Sequence, residues 1–355
     1  MVVSELTLQL LLAGFAGGVL GAALGGIPAF SLAGFVIAAG ELTGARVEPN
    51  ETVAGITVST DVPPILDIFG FGSLLGPHVA FAGGVAAAAY VGRRETFDTT
   101  FRYHQAKNIG KPLGSAPDVL LVGGAFGVLG VLLARLAVGA SAPLDPVAFA
   151  VVLSALIHRL AFGYALIGRV RNLEHGIFDM SPHEEQIRWG ESPYETRQGV
   201  AGRPVVEVWQ PDHYKLPNLL VLGFGVGIAS GYIALISGSA FLAFGIAAFA
   251  LIFLCLGNYS VPVVYHMALP ASIAALALDI GSVPVISDGV AALLIAGLFG
   301  VVAAVLAEFA QRLLYAHADT HLDPPMVAIL LSSLLITGLV AAGVFEASAV
   351  PYPTL

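Results

Sequence analysis

The sequence predicts an all-α integral membrane protein of about ten transmembrane helices, built as two five-helix repeats of inverted topology with interrupted helices. Three observations predict it. The chain is 57% hydrophobic and 11% charged, with a mean hydropathy of +0.87, whereas soluble domains carry roughly 25% charged residues. Apolar runs of about 20 residues, the length a bilayer-crossing helix needs, recur along the whole chain. The chain also repeats itself. PHVAFAGGVAAA (77–88) lines up with YHMALPASIAAL (265–276), placing His78 on His266. LDPVAFAVVLSAL (144–156) lines up with LDPPMVAILLSSL (322–334) at 7 of 13 identical positions. FGVLGVLLARL (126–136) matches FGVVAAVLAEF (299–309), and LLAGFAGGVLG (11–21) weakly matches LVLGFGVGIAS (220–230). The order is the same in both halves, as in many transporter folds whose sites lie at a repeat interface.

In chain order the spans read 7–25, 27–42, 62–91, 117–138 and 145–168, then 217–236, 239–256, 260–280, 288–313 and 325–346. The expected divisions are a first repeat at 1–168, a linker or cap at 169–216 and a second repeat at 217–355. Five spans per repeat, an odd number, turn the second copy upside down relative to the first. Span three is interrupted by Gly70, Gly72, Gly76 and Pro77 and resumes at His78; span eight carries Pro262 and Pro270. Asp145-Pro146 and Asp323-Pro324 read as N-cap and first helical residue of spans five and ten. Ser115 with Asp118 reads as a capping box, and Glu308 with Arg312 as an i,i+4 pair. Met1 to Glu5 lacks the basic region of a cleavable signal peptide. The lone Cys255 permits no intramolecular disulfide.

The cations fix an orientation. With both termini outside, the inner loops 92–116, 169–216 and 314–324 and the adjoining helix ends hold 12 of the 15 Lys and Arg residues. The positive-inside rule therefore puts the 92–116 and 169–216 loops in the cytoplasm of a cell-membrane, multi-pass protein. Asn50-Glu-Thr52, in an outer loop, is a glycosylation sequon.

Chemistry concentrates in a few polar residues. At 1.5 Å per residue, His78 lies roughly 20 Å from the inner boundary and His266 roughly 21 Å from the outer one, mirror depths about the midplane. A lone membrane histidine beside Gly and Pro can simply bond an exposed carbonyl; duplication of the position at a helix break favours a transport pathway. Arg159, beside His158, costs at least ~2.5–3.5 kcal/mol in hydrocarbon and needs a partner or a cavity. Asp67 in the broken span three is an expected partner, and Asn258 and Tyr259 are placed to line an inner vestibule. His317, Asp319 and His321 alternate before span ten and would share one face of an extended segment, as ligands of a divalent cation would.

GPHVAFAGGVAAAAY (76–90), LLVGGAFGVLG (120–130), LSALIHRLAFGY (153–164) and DTHLDPP (319–325) resemble a prokaryotic membrane-protein family of unknown function common in haloarchaea. The resemblance covers most of the chain and implies no activity. The function expected from the residues is secondary transport of a small polar solute or ion at a midplane site, by His78, His266, Arg159, Asp67, His158, Asn258 and Tyr259. The alternatives are a passive channel, an ion-conducting subunit of a larger complex, or a membrane-embedded metalloenzyme using the 317–323 cluster. No resident cofactor is expected beyond a monovalent coupling ion. The expected partners are the lipid bilayer, the solute and a second copy of the chain. Nucleic acid is excluded, since no basic cluster accompanies stacking aromatics. ATP-driven pumping by this chain alone is excluded by the absence of G-x-x-x-x-G-K-[ST].

Overall fold

The computed structural model describes residues 7–43, 69–94, 101–170, 176–189, 202–278 and 288–346, with the backbone of 52–53 and 56–57. Arg46, Asn50, Asp67 and both chain ends, on which parts of the sequence reading rest, lie outside the described residues. The regular structure of the described residues is mainly α-helical, with a short ladder pairing Thr52–Val53 with Ile56–Thr57 and isolated bridges at Arg188–Pro204 and Leu278–Phe345. Its helices are α1 (Leu8–Leu24), α2 (Gly26–Thr43), α3 (Ala82–Arg93), α4 (Pro117–Gly139), α5 (Pro146–Ala161), α6 (Ser181–Glu184), α7 (Leu216–Ser237), α8 (Leu242–Phe249), α9 (Ile252–Cys255), α10 (Tyr265–Ala277), α11 (Asp288–Ala310) and α12 (Pro324–Ala341). A π-helical turn, Pro77–Phe81, leads into α3, and a second, Gln311–Tyr315, prolongs α11.

Among the described residues, four stretches are long and apolar enough to cross a bilayer: Pro117–Gly139, Leu216–Ser237, Gly289–Tyr315 and Pro324–Ala341. The α1–α2 pair passes the same test but bends by 119°, giving a fifth span if counted as one. The bend falls at Gly25, whose φ of +94° lies where a Cβ is disfavoured. Among the described residues, helix occurs within each of the ten expected stretches, but four of them, or five spans with the bent pair, have the length and composition to cross a bilayer. Of span three, residues 62–68 lie outside the described ones; in the rest, Ala82–Arg93 is α-helical, and Pro77 opens a π-turn that leads into it. The architecture is that of an all-α, multi-pass membrane protein.

The helices are small inside and large outside. The buried residues of α1 are Gly14, Gly17, Gly18, Gly21 and Ala22, whereas Leu8, Leu12 and Leu20 are exposed. In α7 the buried face holds Gly223, Gly227, Ser230, Gly231 and Ala234, and Val221 and Ile236 point outward. Such a stripe brings backbones close, which is how helices associate where lipid tails are as apolar as leucine. Gly18 faces Gly123 and Gly127 of α4, and a Cβ built on it would stand 2.9 Å from the Gly127 Cα. Gly227 faces Ala296 and Gly297 of α11, and a Cβ there would stand 2.8 Å from the Gly297 Cα. Pairing of α1 with α4 thus has its counterpart in α7 with α11, and α3·α4 and α4·α5 have theirs in α10·α11 and α11·α12.

Two helix pairs join the halves. Gly34 of α2 packs on Ala248 and Phe249, while Gly245 of α8 packs on Ile37 and Ala38, so the two helices run antiparallel. In the second pair, the Asp145 N–H at the start of α5 donates to Ser333 Oγ well inside α12, at 2.9 Å. Ala155, further along α5, shares a cluster with Leu322 and Val327 at the start of α12. These helices too run antiparallel. Between the pairs lies an aromatic core of Phe30, Phe71, Phe81, Phe244 and Tyr265, with Phe30 and Tyr265 edge to face at 4.8 Å. Asp145 and Asp323 cap their helices as expected, accepting from Ala148 N at 2.7 Å and Met326 N at 3.1 Å.

Gly18→Val and Gly227→Val should each cost about 1–3 kcal/mol, because backbone stands where the side chain would go. Gly225→Ala, with open space at its Cβ, should be neutral or slightly stabilising. Thermal unfolding in detergent, followed by helicity, checks this; equal tolerance of all three variants would contradict the close packing.

Candidate functional site

The two matched histidines open equivalent helices. His78 sits in the π-turn, with its carbonyl against Gly130 of α4 and its ring beside Gly76. It is 2% exposed, and Nδ1 has no hydrogen-bond partner. His266 is the second residue of α10, fully buried, and neither ring nitrogen has a partner. Its ring meets Trp209 at 5.8 Å and Tyr265 at 6.0 Å between centroids. The two imidazoles therefore have different neighbours. Each carries at least one buried ring nitrogen without a hydrogen bond, which costs about 1–3 kcal/mol when nothing occupies it.

Arg159 is wholly buried, and its guanidinium is satisfied by oxygens rather than by a carboxylate. Nε donates to Thr320 Oγ1 at 2.9 Å, and Nη2 donates to the carbonyls of Leu314 at 2.7 Å and Thr320 at 3.0 Å. Nη1 donates to the Leu166 carbonyl. His158 Nε2 reaches the same Thr320 hydroxyl at 3.1 Å. The pair thereby pins the 319–321 turn against the end of α5. Asn258 and Tyr259 are both exposed, on the turn after α9, with Tyr259 at 69%.

His317, Asp319 and His321 do not share a centre. His317 Nε2 bonds the Ile177 carbonyl at 3.1 Å, Asp319 pairs with Arg203 at 2.9 Å, and His321 Nε2 approaches Asp323 at 3.3 Å. The alternation would converge only on an extended segment, and this one turns instead. Among the described residues, no three His, Cys, Asp or Glu side chains gather as metal ligands. In this structure the three side chains make separate contacts. Asp323 also accepts from the Tyr265 hydroxyl, tying α12 to α10.

The three basic loops meet at one end of the molecule. Lys107 Nζ, buried, bonds Glu207 at 2.6 Å and the Tyr315 carbonyl at 2.8 Å. Glu207, itself fully buried, also accepts from Arg203 Nε and from the His104 amide at 3.1 Å. Arg203 continues to Asp319. Segments 101–116, 202–215 and 315–321 are thus locked by one ion network over a small apolar layer of Met180, Val205, Val206, Val208 and Ala316. Pattern reading missed Lys107, His104 and the Arg203–Asp319 pairing because those partners lie about a hundred positions apart, while Arg203 and Glu207 are four apart. The one local signal is Glu207 itself, an acid set inside the apolar run Val205-Val206-Glu207-Val208-Trp209.

Burial holds the His104 imidazole down to about 4 from 6.5; Arg203 adds to the effect, while Asp319 and Glu207 oppose it. Its Nδ1 accepts from the Ala106 amide at 3.2 Å, a bond that a protonated ring could not accept. Unfolded histidine takes up its proton near 6.5 and folded His104 near 4. The stability this residue contributes is therefore complete above pH 6.5 and is lost as the pH falls toward 4, on the order of 1–3 kcal/mol. Protection of the Ala106 amide against hydrogen exchange should drop across that window, and His104→Gln should flatten the drop. An unchanged profile in the variant would assign the loss elsewhere.

No curated protein and no solved structure matches the chain. The model of a family of unknown function, DUF7973, matches residues 1–353, and the chain belongs to that family.

Proposed function

We propose that the protein is a secondary membrane transporter of a small polar solute or ion, built from inverted repeats at 1–168 and 217–355 and capped by 169–216. The observation that carries the proposal is the duplicated, buried histidine, His78 with Nδ1 unpartnered in one half and His266 with both ring nitrogens unpartnered in the other. Ionisable residues inside membrane bundles mark substrate and proton pathways, and helix irregularities at matched places in two halves point to the transport site. Here the irregularities are the Pro77–Phe81 π-turn and the Pro270-bearing α10, whose N-terminus has no side-chain cap.

Inversion is supported by the contact between α5 and α12. In the alignment Asp145 corresponds to Asp323 and Ala155 to Ser333. Asp145 touches Ser333, and Ala155 packs with Leu322 beside Asp323. Such reciprocal contacts are what a two-fold axis through the crossing generates. Since the two helices are antiparallel, that axis runs across them and not along them, so it would lie in the membrane plane. The shared position of the three basic loops agrees with a common cytoplasmic side.

Flux into proteoliposomes, measured for a panel of ions and small acids with and without a pH gradient, tests the function. His78→Ala and His266→Ala should each slow saturable uptake by about tenfold or more, roughly 1.4 kcal/mol of barrier, with the fold retained. Wild-type flux in the double variant would sink the proposal, and flux that never saturates would make the protein a channel. Sidedness has its own check: in a Cys255→Ser background, cysteine at exposed Glu185 should react with impermeant reagents only after permeabilisation.

A further inference from the structure

The cap segment 202–215 does more than join the halves, because it lays Trp209 over His266 and sets His213 against the other side of that contact, on Trp209. Trp209 lies 5.3 Å from His213 and 5.8 Å from His266 between ring centroids, at 83° and 70°. The Trp209 backbone N–H donates to Gln311 Oε1 at 2.8 Å, and Gln311 Nε2 donates to Glu308 at 2.7 Å, so the indole is held from α11 and its π-turn. Five ring nitrogens here are buried without a hydrogen-bond partner: Nε1 of Trp209 and both nitrogens of His213 and of His266. Other buried polar groups of the same layer, on Lys107, Glu207 and Arg159, are paired. Several unmet groups in one contact cluster, at about 1–3 kcal/mol each, call for an occupant.

The chemistry of the groups selects it. An indole N–H only donates, and a neutral imidazole donates once and accepts once. Three N–H donors therefore face the site at least, and five when both imidazoles are protonated. The surrounding charges are already engaged. Glu308 binds Gln311 and Arg312; Arg312 also binds the carbonyls of Phe178 and Tyr214. Asp212, exposed, pairs with Lys215, and the Tyr265 hydroxyl donates to Asp323. A cation would meet N–H groups and no spare carboxylate. A dianion would meet no fixed positive charge. One negative charge spread over two acceptor oxygens, neutralised by a proton on the histidine pair, suits the set.

We infer that Trp209, His213 and His266 form a binding site for a small monocarboxylate, taken up together with one proton. The inference rests on His266 belonging to the proposed pathway and gives that pathway a substrate class. Without ligand, burial holds the His213 imidazole down to about 4, with Asp212 pulling the other way. The anion supplies the missing counter-charge, and protonation follows its arrival.

Trp209 reports on the site directly once Trp189, the other of the two tryptophans, is replaced by Phe. In detergent at pH 5 and constant ionic strength, acetate should change the Trp209 fluorescence saturably. The apparent affinity should fall about tenfold per pH unit above the free-protein histidine value, the slope of one linked proton. His213→Ala, in the cap, should weaken binding by about tenfold or more. His213→Gln/His266→Gln, which keeps neutral hydrogen bonding, should lose the pH slope. Absence of a saturable change at pH 5, full binding in His213→Ala, or an equal response to chloride would overturn the assignment. Acetate binding without acetate flux would keep this site and remove the transporter; flux of other solutes without acetate binding would remove this site alone.

Discussion

Close approach of backbone to backbone is the constraint on which the rest of the fold depends. Lipid offers no hydrophobic reward for bringing helices together, so contact must come from packing area, and glycine maximises it. The α1–α4 and α7–α11 pairs meet at Gly14, Gly18, Gly123 and Gly127 in one half and at Gly223, Gly227, Gly297 and Gly300 in the other. These pairs form a rigid frame in each half, against which the short, irregular segments are set. The π-turn at His78 leans on that frame, since the His78 carbonyl fits only because Gly130 has no side chain. Large residues turned outward cover the frame with an apolar surface suited to acyl chains.

A second kind of bonding dominates the loop end. There the chain buries Lys107, Glu207 and Arg159 and satisfies each with two or more polar partners. Removing one member of such a network leaves the others unpaired in a poorly solvated place, which costs more than the pair contributes. The network also ties three loops to the ends of α5 and α11, so the cap has a defined seat. Conformational change at this end would have to break or carry the network as a unit.

Regular, uninterrupted elements were legible in the sequence. The reading of 117–138 and 217–236 agrees with Pro117–Gly139 and Leu216–Ser237, and the Asp-Pro caps and the Glu308–Arg312 pair follow from local rules. Local rules failed where tertiary partners compete. Ser115 and Asp118 form no capping box, because Pro117 is the first helical residue and makes Ala116 the N-cap. Asp118 turns instead to Tyr90 and Arg94. His78 and His266 stood out because duplication marks them, whereas His213 and Trp209 lie in an unduplicated segment. Their meeting with His266 is a fact of folding, with no trace in spacing.

The π-turn at Gln311–Tyr315 has a further consequence. A π-turn fits an extra residue into one turn of a helix, and α4 shows no such turn where it ends at Gly139. The turn itself carries both contacts to the loops, Gln311 accepting from the Trp209 backbone N–H and the Tyr315 carbonyl accepting from Lys107. The helices α4 and α11, matched in sequence, therefore finish differently, α11 against the 202–215 segment. A single extra residue in one helix is thus enough to give two stretches of matched sequence different surroundings.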